Sequence, residues 1–377
     1  MSFSCYIETY SPIIGLYGDS PVSRQSFLYL TQEQVVECGG ADVVATVADV
    51  DRATRLLYEG EAIEATTATL FWDLSEEDRK KAVGYKGTKR VNCHAAFVND
   101  GGERMVGVKN IPSNPENPAK GRGPRASGLL TMLDAESGYP IALMDCAVIS
   151  CTRTGALGAV GARYLRKSGI NDVCLIGVGP INQAAMAALH HVCNDGADIG
   201  LVHVFDLTRE RAEAYARRIE TELGVRTQVA ESAEAAVRAA DIVMPATTLT
   251  VPEQAYIPYE WFKRGALYID LSIWDAKYDL YEHADKFYSN AAESIERHNL
   301  TPGCLVDAGI LQPEQLLDLG AVIAGKVPGR DNDDQIIVYF ARGMAIYDAI
   351  CGHRVQKAAE AGSMGQDLVL WEQGHWG

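Results

Sequence analysis

The amino-acid sequence predicts an α/β fold in which a doubly wound parallel sheet is joined to a discontinuous α+β unit. Three observations carry that expectation. From about residue 173, short apolar runs alternate with helical stretches, as in a parallel sheet covered on both faces. From about 90 to 150, apolar runs are divided by Pro- and Gly-bearing loops, as in an antiparallel sheet. After about 325, a polar turn is followed by one more strand and helix, expected to return to the first unit. The expected division is 1–152 together with 327–377, and 153–326 between them. At 377 residues the chain is long enough for two such units.

The elements follow in order. Residues 1–28 read as an irregular lead-in carrying Pro12, Gly15, Gly18 and Pro21. Residues 42–58 place Val44, Val47, Val50, Ala53 and Leu57 at helical spacing, with Asp42 as the cap. GERMVGVKNI, SGLLTML and PIALMDC are the antiparallel strands. The loop 112–128 holds Pro112, Pro115, Pro118, Gly121, Gly123 and Pro124 beside Lys120, Arg122 and Arg125. It is expected to be non-helical and to serve as a mobile flap. Residues 154–167 form a helix of small side chains suited to close packing. Strands are expected at 173–179, 201–207, 241–247 and 266–272, with helices at 183–193, 209–223 and 232–239. QIIVYF and the helix MAIYDAICGHRVQKAAEA close the pattern.

Composition excludes several function classes. Acidic residues outnumber basic ones 50 to 34, for a net charge of −16. Nucleic acid and anionic membrane both need a positive field, so neither is the expected partner. A small anionic ligand stays open, because a few convergent cations suffice for it. The N-terminal residues show neither the basic nor the apolar region of a secretory signal, and no apolar run reaches membrane-spanning length. Nine cysteines without any CxxC spacing read as reduced thiols in a cytoplasm. His190, His191 and Cys193 share a helix but point in different directions, so no metal is expected.

The sharpest local signal is Gly177-Val178-Gly179-Pro180-Ile181-Asn182 between a strand and a helix. Gly177 suits the tight turn of a dinucleotide-binding Rossmann fold, and Gly179 lets backbone approach a pyrophosphate at the helix N-terminus. Asn182 stands where Gly or Ala is usual. Asp206 ends the next strand and suits the adenosine ribose hydroxyls, which favours NAD over NADP. It could instead cap the following helix, and Arg209 and Arg211 remain available to a 2′-phosphate. Thr247 and Ser272, closing the strands 241–247 and 266–272, join Pro180 and Ile181 as candidate cofactor residues.

Two cations sit in awkward places. Lys109 lies inside the apolar run MVGVKNI, and Arg153 lies at the junction SCTRTGA. An Arg fork and a Lys charge converging on one carboxylate would hold an amino-acid substrate. Structural ion pairs with acids such as Asp100 or Asp145 are the alternative. Asp275, just past a strand end, is placed either for the ligand crevice or as a loop cap.

In order along the chain, the segment from VGVKNIP through RASGLLTML to SCTRTGALGAVGARYL, then LIGVGPINQ, DLSIWDA and AGKVPGRDNDDQIIVYFARGMAIYD, resembles the ornithine cyclodeaminase/μ-crystallin family. Within it the chain looks most like the dehydrogenases of 2,3-diaminopropionate biosynthesis, the staphyloferrin B type, which act on N-(2-amino-2-carboxyethyl)-L-glutamate. The resemblance runs from about residue 28 to 355. It implies an NAD(P)-dependent homodimer whose split domain supplies the dimer sheet and the substrate pocket, with a Rossmann domain between. Lys109 and Arg153 match residues that hold the substrate carboxylate, Thr154 a threonine at the cofactor phosphates, and Asp275 an aspartate at the reacting centre. EAIEATTATLFWD carries no Lys or Arg where the cyclodeaminase has a further cation. Arg342 departs from the family's small polar residues and is either a substrate contact or a partner of Asp348.

The implied reaction is oxidation of a secondary amine joining two amino-acid-like halves. A cation developing at the α-carbon would be stabilised by Asp275. Such a substrate carries several carboxylates, which would occupy Lys120, Arg122 and Arg125 unless that loop is a solvated turn. The alternatives are a cyclodeaminase that recycles its NAD, an imine or ketimine reductase, and a non-catalytic small-ligand binder.

Overall fold

The computed structural model describes residues 24–77, 88–249, 252–292 and 301–372. Most of the lead-in, residues 1–23, lies outside these residues. The strands are β1 (Gln25–Leu30), β2 (Ala62–Glu64), β3 (Ala68–Phe71), β4 (Arg90–Asp100), β5 (Glu103–Ser113), β6 (Leu129–Leu133) and β7 (Pro140–Asp145). They continue with β8 (Asn171–Ile176), β9 (Ile199–Phe205), β10 (Thr227–Val229), β11 (Ile242–Pro245) and β12 (Leu267–Asp270). The last four are β13 (Lys286–Ser289), β14 (Leu316–Asp318), β15 (Ile337–Phe340) and β16 (Gln366–Trp371).

They form two sheets. The first runs β16-β1-β7-β6-β5-β4-β2, with β3 also on β4. It is antiparallel except where β1 meets β7. The second runs β10-β9-β8-β11-β12-β15-β13-β14 and is parallel throughout. Val, Ile, Leu and Tyr fill the inner strands β11, β12 and β15, all fully buried, as two-sided coverage demands.

Four helices position the site: α1 (Val43–Tyr58), α2 (Ala147–Leu165), α3 (Pro180–Val192) and α4 (Ala345–Ala361). Asp42 caps α1 as expected, accepting from the Ala45 amide at 3.0 Å. Helix α2 starts before residue 154, because Asp145 accepts from the Ala147 and Val148 amides at 3.0 and 3.2 Å. Its small residues let α3 approach closely. A Cβ at Gly155 would collide with the backbone of Ala184 and Ala185 on α3. Helix α4 packs across β4 and β5 of the first sheet.

Two differences from expectation carry information. Strand β15, expected to return to the first unit, pairs with β12 and β13 in the second sheet, whereas α4 and β16 pack on the first. The second difference lies in the strand ends. Strands β8, β9, β11 and β12 stop two or three residues before the expected ends at 179, 207, 247 and 272. The residues left over are those of the crevice, where side chains hydrogen-bond across loops in place of the sheet ladder.

Candidate active site

Strands β8 and β11 are neighbours, with β9 beyond one and β12 beyond the other. The carboxyl ends of such strands open a crevice where the connections diverge. Gly177 turns there with φ of 80°, and its amide donates to the Phe205 carbonyl at 2.8 Å. Gly179 stands at the start of α3 in extended backbone with no side-chain cap, and Pro180 follows at the first helical position. The first amides of α3 therefore have no side-chain acceptor from the cap residue, and a Cβ at Gly179 would meet nothing within 4 Å. Pro180 and Ile181 are exposed beside it.

Asn182 explains the departure from a third glycine. It is fully buried, and its Nδ2 donates to the carbonyls of Ile176, Gly177 and Met244 at 3.0, 2.7 and 3.2 Å. One side chain thus ties the turn to β8 and β11. Asp206 sits against the same turn. Its Oδ2 accepts from the Val178 amide at 3.0 Å, and its Oδ1 accepts from the Thr208 amide at 2.9 Å. It therefore braces the glycine turn and the following helix start together. Arg211 approaches it at 3.8 Å. An open helix terminus, a glycine facing free space and a carboxylate at the end of β9 all fit a dinucleotide.

Further along the crevice, Asp275 is fully buried. Thr247 Oγ1 donates to its Oδ1 at 2.5 Å, Tyr256 Oη donates to the same oxygen at 3.2 Å, and Ser272 donates to Oδ2. Ser272 also lies 3.1 Å from the Pro245 carbonyl. Thr247, Ser272 and Asp275 thus meet as one group. Tyr256 joins them without a motif that marks it in the sequence. Burial, and then the Asp275 charge, push the Tyr256 phenol well above its ordinary pKa, so it stays a donor.

Lys109 and Arg153 meet as well. Lys109 Nζ reaches Asp348 Oδ2 at 2.5 Å, and Arg153 Nε reaches Asp348 Oδ1 at 3.2 Å. Asp348 is fully buried in α4 and the two cations are 2% and 6% exposed. The alternative partners are engaged elsewhere: Asp100 pairs with Arg52 at 2.9 Å, and Asp145 caps α2. Burial and then Arg153 lower the Lys109 pKa, while Asp348 opposes that. Burial alone would raise Asp348, but Arg153 and Lys109 outweigh it and hold its carboxyl below the usual range. Two cations and one anion leave the triad a net positive charge, which suits one more carboxylate. Neighbouring Cys146 is pushed up to about 12 by burial, so it adds no thiolate.

Residues 341–348 link this triad to the second sheet. Gly343 lies directly under the Arg153 guanidinium, where any Cβ would collide. Asn290, at the end of β13, donates to the Arg342 carbonyl and the Tyr347 phenol, both at 2.8 Å, and accepts from the Arg342 amide at 2.7 Å. Arg342 does not pair with Asp348. It turns onto Asp270 at 2.5 Å, because β15 delivers it beside the end of β12. Asp270 also accepts from the Ile273 amide at 2.8 Å and holds that residue at φ of 81°, a strained conformation for a branched side chain.

The remaining candidates engage partners other than the triad. Thr154 turns back onto the Ser150 carbonyl at 2.6 Å. The loop 112–128 is a series of turns, with Lys120 on Glu116 at 2.7 Å and Arg125 lying 3.3 Å from Ser113. Asp348, Tyr256, Asn182 and Gly343 are the site residues that motif reading did not assign.

Comparison with known proteins identifies relatives across most of the chain. The model of the Ornithine cyclodeaminase/mu-crystallin family matches residues 40–363. The N-((2S)-2-amino-2-carboxyethyl)-L-glutamate dehydrogenase of Staphylococcus aureus is 33% identical over 277 residues, covering 72% of this chain and 80% of its own. A Delta(1)-pyrroline-2-carboxylate reductase of Bacillus cereus is 28% identical, covering 69% and 80%. An archaeal alanine dehydrogenase, solved as a dimer with bound NAD, shares the fold with a TM-score of 0.78 at 24% identity, covering 92% of this chain and all of its own.

Proposed function

This chain belongs to the ornithine cyclodeaminase/mu-crystallin family, and on that premise we propose that it oxidises the C–N bond of an amino-acid-derived secondary amine with NAD. The products are a 2-oxo acid and a free amine, as in 2,3-diaminopropionate formation. The observation that carries this reading is the buried triad of Lys109, Arg153 and Asp348, whose net charge of one accepts one substrate carboxylate. The Staphylococcus aureus relative, by its name, acts on a substrate of this kind.

NAD, when bound, supplies the hydride acceptor, and Gly177, Gly179, Pro180, Ile181, Asp206, Thr154, Thr247 and Ser272 are the residues that would hold it. Lys109 and Arg153 fix the α-carboxylate and so orient the α-carbon. Oxidation leaves an iminium there, and Asp275 stabilises its positive charge. Water adds to the iminium, the C–N bond breaks, and the amine departs with the proton. Asp348 keeps two like charges together and limits the site to one carboxylate. Arg342 acts at one remove, by pinning Asp270 and hence the loop that carries Asp275.

The split unit of the first sheet with α4 is the substrate-binding and dimerisation domain in this reading, and the second sheet is the dinucleotide-binding domain. A homodimer is supported by the exposed Ile63, Leu70 and Leu129 on the sheet face opposite α4. The eight described cysteines are all free, which supports a cytoplasmic location.

The test follows absorbance of NADH. Protein mixed with NAD and N-(2-amino-2-carboxyethyl)-L-glutamate should accumulate NADH in proportion to 2-oxoglutarate. A flat trace with ammonia release would mark a cyclodeaminase, and NADH consumption with a cyclic imino acid would favour the reductase reading that the Bacillus cereus relative suggests. Gly343→Ala should lower kcat/KM on the order of 10²-fold, because the new methyl displaces the Arg153 guanidinium by about an ångström. Unchanged kinetics would detach Arg153 from substrate binding.

A further inference from the structure

Glu64 ends β2 opposite Ala96 of β4, while His94 stands directly opposite Lys109 across β4 and β5. Cross-strand partners share a face, and His94 and Ala96 are two residues apart on one strand. Glu64, His94 and Lys109 therefore project from the same face of the first sheet, the face that α4 covers. The Glu64 side chain is 2% exposed. Both of its carboxylate oxygens are buried without a hydrogen-bond partner among the described residues. His94 Nδ1 lies 3.6 Å from Glu64 Oε1, beyond hydrogen-bond reach, and 3.1 Å from Thr67 Oγ1. Across the gap on α4, the Tyr347 phenol is pushed up to about 12, mainly by burial, with the Glu64 charge adding to it.

A carboxylate this deep without a donor is costly, and a chain that only needed packing would place an apolar residue there. An acid held in want of donors, on the same sheet face as cations that carry an unspent positive charge, is the complement of a zwitterion. An α-amino-acid head bears its carboxylate and its ammonium on one carbon, so it needs a cation and an anion side by side. We propose that Glu64, with His94, forms the ammonium-binding subsite for the α-amino-acid head whose carboxylate rests on Lys109 and Arg153. The ammonium brings donors to Glu64, and the substrate carboxylate meets the positive charge of the triad, so each charge gains an opposite partner. This subsite selects α-amino acids and their N-substituted forms over acids that lack the nitrogen. It rests on the substrate placement proposed above and adds the group that reads the nitrogen.

The experiment is a calorimetric titration of NAD-loaded full-length protein with L-glutamate and with glutarate, which lacks only the α-amino group. Wild-type protein should bind L-glutamate at least tenfold more tightly. Glu64→Gln, nearly isosteric, should abolish that preference while changing glutarate affinity by no more than about twofold. A preference that survives in Glu64→Gln, or equal weakening of both ligands, overturns the proposal. Equal affinities in the wild-type protein overturn it without any variant, so the outcome does not depend on how Glu64→Gln folds. NADH formation is scored separately. A wild-type preference with no oxidation of any secondary amine sinks the proposed reaction and leaves the subsite standing, whereas oxidation without the preference does the reverse.

Discussion

Asp275→Asn should lower kcat by about two to three orders of magnitude, the usual cost of removing one preorganised group from developing charge. The substitution keeps shape and removes only the negative charge. Thr247 and Tyr256 still find an oxygen to donate to, at the position where they now stand 2.5 and 3.2 Å from Oδ1. Ser272 can turn its hydroxyl to the Pro245 carbonyl, 3.1 Å away. Folding and NAD binding should therefore stay near parental values. In the proposed reaction, what is lost is the charge that faces an α-carbon turning cationic, and three hydroxyl dipoles aimed at a carboxylate cannot replace it. Steady-state kinetics beside an NAD titration check this. A fall of less than tenfold in kcat would assign Asp275 to loop structure alone, its alternative reading from the sequence.

The second large effect is on stability. Asp348→Asn leaves Lys109 and Arg153 facing each other in a buried site, and breaking a buried ion pair from one side costs about 3–5 kcal/mol. The sign of the compensation is the sharper test. Lys109→Met added to Asp348→Asn removes one of the stranded cations, so the double variant should be more stable than Asp348→Asn by itself. Urea unfolding monitored by fluorescence measures both. Strictly additive losses would mean that the three groups are not one electrostatic unit.

Much of the fold was legible in the chain because it depends on local spacing. The helix Val43–Tyr58 with its Asp42 cap, the glycine turn ahead of α3 and the alternating strands all follow from neighbours within a few residues. Asn182 shows where a motif stops short. As a departure from a glycine pattern it looks like a weakness, yet its amide makes three backbone contacts, one of them to a residue 62 positions away. Arg342 shows the converse error. Asp348, six residues on along the chain, is a natural partner by sequence distance, but strand pairing places Asp270 beside it.

By itself the sequence determined the main helices and the inner strands of the second sheet, the nucleotide turn with its acid, and the presence of Lys109 and Arg153 as charges in apolar surroundings. Only the tertiary structure decided that both cations close on Asp348, across 239 and 195 residues, and that Glu64 is left beneath α4 without a donor among the described residues. The reason is physical. Secondary structure follows from short-range periodicity, whereas the partner of a buried charge is chosen by strand register and helix packing, which bring together residues that share no spacing in the chain.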